Sequence, residues 1–233
     1  MSSKVFLVTG ASSGIGEATA RRAVEAGFNV VVAARSSDKL KRLVDEFGHD
    51  RSLAVTVDVS SIDSQQNLIH QILHKFGRID VVFANAGFSD GSRFYKGEVD
   101  LERWREMVLV NVFGAAATAR LTLPELVKNG GHILLTGSVA GRITSSPALY
   151  SATKWAVTGI AQGIRNDVAG TGVRVTLVNP GAVETPFWDH LKKPDHEKWL
   201  QPDDVARAVL YAVNEPQHVD VNEILIRPTG QTN

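Results

Sequence analysis

Val5-Phe6-Leu7-Val8-Thr9-Gly10-Ala11-Ser12-Ser13-Gly14-Ile15-Gly16 is the stretch from which the rest of the chain is read. Its first four residues are all apolar, as in a strand buried on both faces. A turn rich in glycine and serine follows, and a helical pattern then runs over Ile15–Ala26. Glycine permits a tight turn and close approach of the backbone to a ligand. The helix start presents unpaired N–H groups and the positive end of the dipole, which suit a phosphate. Ser12 and Ser13 add hydroxyl donors. A glycine-rich turn also arises for packing alone, but strand, turn and helix in this order are the context that phosphate binding needs.

Outward from that stretch, short apolar runs alternate with helical patterns. The runs are Val5–Val8, Val30–Ala33, Leu53–Val57, Asp80–Ala84, His132–Leu135, Val173–Val178 and Glu223–Ile226. The helical patterns are Ile15–Ala26, Asp38–Phe47, Ser64–Phe76, Leu101–Lys128, Tyr150–Ala169 and Asp203–Asn214, the last behind Pro202 at a helix start. This alternation predicts an α/β fold: a Rossmann-like, doubly wound parallel sheet of about seven strands with helices on both faces. No linker or repeat divides the chain, so residues 1–233 are expected to form one domain. Asp189–Leu200 is the least patterned stretch, and residues 186–200 are expected to form a short lid over a site.

Composition narrows the function classes. The chain has 233 residues, is 43% hydrophobic and carries a formal net charge of +0. A neutral chain without a basic stripe argues against a nucleic-acid partner. The seven His show no metal spacing, and Cys is absent, which removes disulfides and thiolate chemistry. No room for a signal peptide precedes Val5, and no apolar run approaches the roughly 18–20 residues that span a bilayer. These features predict a soluble cytoplasmic protein with no membrane partner and no metal.

Tyr150 and Lys154 stand four residues apart in a helical pattern, on one face, with Cβ atoms about 5–6 Å apart. A cation beside a tyrosine lowers its pKa from about 10 and favours proton transfer to or from an oxygen. Alone, this pair is common on protein surfaces. Ser138, however, lies just past the fifth apolar run, at the carboxyl end where parallel sheets place their sites. Asn111 is an amide inside an apolar helical pattern, where it needs a partner; one buried structural hydrogen bond is the plain alternative to a role in chemistry.

Thr9-Gly10-x-x-x-Gly14-x-Gly16 resembles the glycine pattern of the short-chain dehydrogenase/reductase family, and the resemblance extends from Thr9 to about Pro228. Ser138 precedes Tyr150 by twelve residues, an interval usual in that family. The resemblance implies a catalytic set of Asn111, Ser138, Tyr150 and Lys154, with Asn111 holding a water that links to Lys154. It implies a nicotinamide cofactor in contact with Gly10, Ser12, Ser13, Gly14, Ile15, Gly16, Asp58, Val59, Asn85, Ala86, Gly87, Tyr150 and Lys154. Pro180, Gly181, Val183 and Thr185 match the nicotinamide loop, and a plain Pro/Gly turn is the alternative there. Taken alone, Asp58 reads equally as a strand-end turn residue. The family often has a second Asn before the Asn85 motif; here it is Ala84.

Ala34-Arg35-Ser36-Ser37 follows the second strand and holds no acidic residue for a ribose hydroxyl. Arg35 suits the 2′-phosphate of NADP, so NADP(H) is expected over NAD, against the alternative of a solvated loop charge. Val139, Ala140, Thr144, Ala148, Leu149, Pro186, Phe187 and Trp188 are candidates for a mainly apolar pocket for an alcohol or ketone. Arg142 pairs either with a substrate carboxylate or simply with solvent. The pattern from Val221 to Thr229 is similar to the family branch that oxidises serine and 3-hydroxy acids. The family implies a homodimer or homotetramer through Leu101–Lys128 and Tyr150–Ala169, where Gly159, Ala161 and Gly163 leave room for a partner helix or pack within one subunit. The activity implied is that of an NADP-dependent carbonyl reductase or alcohol dehydrogenase. The competing reading is a non-catalytic NADP-binding redox sensor, which would usually have lost Tyr150 or Lys154.

Overall fold

The computed structural model describes residues 3–95, 98–143, 148–191 and 199–231. Seven parallel strands form one sheet: β1 (Val5–Thr9), β2 (Asn29–Ala34), β3 (Ser52–Thr56), β4 (Val81–Ala84), β5 (His132–Thr136), β6 (Arg174–Pro180) and β7 (Glu223–Ile226). Their order is β3-β2-β1-β4-β5-β6-β7, so the winding reverses between β1 and β4. Ligands of such sheets bind outside the carboxyl ends of the strands at that reversal. The doubly wound sheet expected from the sequence is therefore present.

The near-continuous apolar runs are explained by two cores, one on each face. Val5 and Leu7 point to the first, with Leu68, Ile72, Leu126, Val157 and Ile164 from α3 (Ile62–Phe76), α5 (Ala115–Asn129) and α6 (Ala148–Asp167). Phe6 and Val8 point to the second, with Ala20, Leu40, Val205 and Val209 from α1 (Gly14–Glu25), α2 (Ser37–Phe47) and α7 (Pro202–Asn214). α7 starts as read: Pro202 occupies its first turn, and Gln201 and Asp204 form a capping box.

Three expectations need correction. The single helix expected over Leu101–Lys128 is α4 (Leu101–Val108), a π-helical stretch (Leu109–Gly114) and α5. A π turn inside a helix is rare and often marks a functional position, and this one contains Asn111. Second, Leu101–Asn129 as a whole is long and apolar enough to cross a bilayer by length and composition. One side of α5 nevertheless lies in the protein core, through Ala115, Ala119, Thr122 and Leu126. Third, the run read as Leu53–Val57 forms a strand shifted by one residue, Ser52–Thr56, although the Val57 N–H still donates to Ala34 O at 3.0 Å. β3 is a sheet edge, and its chain turns away there into α3.

Candidate active site

A cavity of about 960 Å³ opens at the carboxyl ends of the strands. Its wall carries Gly10, Ser12, Ser13, Gly14 and Ile15 from the β1–α1 turn, Arg35 after β2, and Asp58 and Val59 after β3. Asn85, Ala86 and Gly87 follow from β4, then Ser138, Tyr150 and Lys154, then Pro180, Gly181, Val183 and Thr185 after β6. Residues distant in sequence meet here because every strand delivers its carboxyl end to the same edge.

The turn is built as an anion cradle. Ser13 caps α1 without a side-chain hydrogen bond, which leaves the first-turn N–H groups to a ligand. Gly14 sits at φ +55°, and a Cβ there would lie 2.9 Å from Thr185 Cγ2. Gly16, expected at the ligand, does not line the cavity: a Cβ on it would fall 2.3 Å from Gly10 O, so it packs the helix against the strand. Asn85 ties three strand ends together. Its Nδ2 donates to Thr9 O at 3.1 Å, its Oδ1 accepts from Thr136 Oγ1 at 3.1 Å, and its N–H donates to Thr9 Oγ1 at 3.0 Å.

At the adenosine end suggested by the sequence, Asp58 accepts from Ser60 Oγ at 2.7 Å and from Ser60 N at 2.9 Å. The Ser60 hydroxyl bond, offset by desolvation and aided by Arg35, holds the carboxyl below its usual range. Asp58 is thus a capped turn residue that also faces the cavity. Arg35 reaches the wall with its side chain 67% exposed and donates to Glu106 Oε1 at 3.1 Å.

At the other end, Ser138 and Tyr150 share the cavity wall, with the Ser138 hydroxyl placed to act on the Tyr150 hydroxyl. Asn179 Oδ1 accepts the Ser138 N–H at 2.9 Å, and Ser138 Oγ accepts the Ala140 N–H at 3.1 Å. Tyr150 is partly open to the cavity, but burial of its hydroxyl end pushes its pKa up to about 12, while the Ser138 hydroxyl acts in the lowering direction. Burial moves Lys154 the opposite way, to about 8. Lys154 Nζ donates to Thr136 O at 2.8 Å and lies 5.7 Å from the Tyr150 ring centroid. Ser138 thus acts on Tyr150 in the lowering direction, and Lys154 stands beside the same ring.

Asn111 does not touch the cavity. Its Oδ1 accepts the Phe88 N–H at 3.0 Å, and its Nδ2 donates to Phe88 O at 2.9 Å and Thr153 Oγ1 at 3.1 Å. It pins the Gly87-Phe88 turn to the helix turn before Lys154. Among the pocket candidates, Val139, Ala140, Pro186, Phe187 and Trp188 line the cavity. Leu149 does not, because one residue before Tyr150 on α6 its side chain is turned about 100° away from it. Thr144 and the Ala148 side chain lie outside the described residues, as do residues 192–198 of the expected lid. The lid's described ends are anchored: Trp188 Nε1 donates to Val183 O at 3.0 Å, and the Glu184 N–H donates to Leu200 O at 2.8 Å.

Arg142 is bound to Glu223, with Nε donating to Oε1 at 2.6 Å, and is not on the cavity wall. Sequence reasoning missed Phe88, Ser89, Arg103, His190, Leu191 and Gln231, which line the cavity, and the buried Asn179 behind it. Only Asn179 carried a signal, as a polar residue ending an apolar strand.

The model of the short chain dehydrogenase family matches residues 4–196. The chain belongs to the short-chain dehydrogenase family. An uncharacterized oxidoreductase of Staphylococcus aureus is 40% identical over 230 residues, covering 98% of each chain. An alcohol dehydrogenase of the archaeon Thermococcus sibiricus, solved with 5-hydroxy-NADP, is 33% identical, with a TM-score of 0.90 over 99% of this chain and 98% of that one. A serine dehydrogenase with NADP+ is 31% identical, with a TM-score of 0.91 over 98% and 96% of the two chains. A 3-ketoacyl-(acyl-carrier-protein) reductase of Brucella melitensis with NADH is 30% identical, with a TM-score of 0.88 over 97% of each. The short-chain dehydrogenase fold, oxidoreductase class and nicotinamide cofactor thus agree with the geometry of the cavity.

Proposed function

We propose that this short-chain dehydrogenase is an NADP(H)-dependent oxidoreductase that interconverts an alcohol and its carbonyl compound, with Tyr150 as general acid and base. The observation that carries this reading is the Ser138–Tyr150–Lys154 group at the end of a cavity whose other end has an uncapped helix start and Arg35. The cradle fits a dinucleotide: free N–H groups stand at the turn and no carboxylate occupies position 34. When bound, the nicotinamide supplies or accepts hydride.

The protein's own residues handle the proton and the geometry. Tyr150, with a pKa near 12, stays protonated at neutral pH and is a donor to a developing alkoxide. Ser138 supports the Tyr150 hydroxyl and polarises the same substrate oxygen. Lys154 keeps a positive charge below about pH 8 and steadies negative charge at that oxygen. Asn111 acts as a positioning residue through the Phe88 turn and Thr153. The apolar wall of Val139, Ala140, Phe187 and Trp188 excludes water from the reacting end. Phe187 packs on Tyr150 at 5.6 Å, and its aromatic contacts continue through Trp188 to Trp199.

Residues 186–200 act as the lid of a chain that works as one domain. A second copy docks on the face where Trp155 is 46% exposed and Gly159 and Gly163 meet nothing within 4 Å. Ala161 instead belongs to the first core. The protein acts in the cytoplasm on a small alcohol or ketone, without metal, nucleic acid or membrane.

Loss of absorbance at 340 nm tests the activity, with NADPH and NADH offered separately to a carbonyl panel that includes 3-oxo acids, beside Tyr150→Phe. NADPH oxidation that needs a carbonyl and vanishes in the variant supports the reading. Turnover retained by the variant, or NADPH binding with silence across the panel, moves the assignment to a cofactor-binding sensor.

A further inference from the structure

We propose that Gln231 is a positioning residue for the nicotinamide end of the site; this rests on the reading of Pro180–Thr185 as the nicotinamide loop. β7 leads into a turn closed by the Gln231 N–H donating to Pro228 O at 3.1 Å, which returns the chain to the end of β6. The Gln231 side chain lies on the cavity wall beside Gly181, Ala182, Val183 and Pro186. Its Oε1 accepts the Ala182 N–H at 2.9 Å.

Hydrogen bonds with Ile226, Gln231, Trp188 and Leu200 hold this loop from outside it. The Gly181 N–H donates to Ile226 O at 2.7 Å, and the Leu200 N–H donates to Ala182 O at 3.0 Å. Two cavity-lining residues hold it through their side chains, Trp188 at Val183 O and Gln231 at the Ala182 N–H, and Gln231 is the one that grips Ala182. Gly181 is shaped to receive it: a Cβ at that position would lie 2.2 Å from Gln231 Oε1 and 3.1 Å from Pro228 Cδ. The backbone of Ala182, itself only 2% exposed, is therefore gripped on its N–H side by Gln231 and on its carbonyl side by Leu200. Loosening one side lets residues 181–183 rotate in front of the hydride-transfer end while the β1–α1 cradle and Arg35 are untouched.

The affinities of the full chain for NADPH and for 2′-phospho-ADP-ribose, the same nucleotide without nicotinamide, separate the two ends. Gln231→Ala is expected to weaken NADPH by about ten-fold, the worth of one hydrogen bond to a positioned loop, and to leave 2′-phospho-ADP-ribose within about two-fold. Gln231→Glu, which keeps an acceptor at the same reach, restores most of the NADPH affinity. Gly181→Ala, which expels the Gln231 side chain, reproduces the selective loss. Equal losses for both ligands, or a lower melting temperature with both affinities unchanged, overturn the proposal. If the native protein prefers NADH, the NADP assignment fails alone, and NADH against ADP-ribose makes the same comparison. If it binds neither dinucleotide, both readings fall.

Discussion

Asn179, at the end of β6, holds Ser138 across the sheet, its Oδ1 accepting the Ser138 N–H at 2.9 Å. Its Nδ2 donates to Glu223 on β7 at 2.7 Å, and Glu223 is bound in turn by Arg142. The residue that supports the Tyr150 hydroxyl is thus anchored through a fully buried amide to the sheet edge. Asn179→Ala is expected to lower kcat by about a hundred-fold, because displacement by about 1 Å at a reacting centre has that effect. Cofactor affinity should stay near native. A kcat within two-fold of native would remove Asn179 from the site.

Arg35 reads the cofactor if the NADP assignment holds. Arg35→Ala is expected to raise KM for NADPH roughly ten- to a hundred-fold, the range for losing a charged hydrogen bond, and to leave NADH nearly unchanged. Parallel steady-state titrations with the two cofactors decide it. Equal effects on both would assign Arg35 to its Glu106 contact alone.

Lys154 is expected to set an upper pH limit on reduction. Burial lowers its pKa to about 8, so its charge is present below that pH and lost above it. Tyr150, raised to about 12, does not titrate in that range. Reductive kcat/KM should be level up to about pH 8 and then decline with one proton. Lys154→Arg should move the decline to higher pH. A profile flat to pH 10 contradicts the charge requirement.

His132 is expected to make stability fall in acid. It is buried in β5, and Thr176 Oγ1, 2.7 Å from its Nε2, gives its own proton to Val221 O at 2.6 Å. Nε2 therefore donates, and Nδ1 is a bare acceptor without a partner among the described residues. Burial, with Arg174 nearby, lowers the pKa to about 3. The unfolded chain, with a value near ~6.5, binds the extra proton between those limits. Stability from the neutral imidazole is complete above about pH 6.5 and falls with decreasing pH, at a slope approaching about 1.4 kcal/mol per unit. His132→Leu should flatten that slope in denaturant titrations from pH 6.5 to 4; an unchanged slope assigns acid sensitivity elsewhere.

Trp155, Gly159 and Gly163 recur every fourth residue on α6 and so share a face. Gly159→Arg on that open face should shift the mass in light scattering from dimer or tetramer toward monomer. A native protein already monomeric, or a variant of unchanged mass, rejects the interface.

Periodicity and residue type determined the sheet, its doubly wound class and most of the cavity wall. Both faces of every inner strand are covered, which forces continuous apolar runs, and the Thr9–Gly16 turn and the Tyr150/Lys154 pair are local patterns. Local reading failed where partners come from far away. Gly16 and Gly14 look alike in sequence, yet one packs against Gly10 O and the other lines the cavity. Leu149 and Tyr150 are neighbours, yet helical rotation puts only one at the site. Burial by surrounding elements decided the direction of the Tyr150 and Lys154 pKa values, and the fold-back of Gln231 onto Ala182 exists only once β7 has paired with β6. Hydrogen bonds and desolvation depend on what lies within a few ångströms in space, and chain order does not specify that.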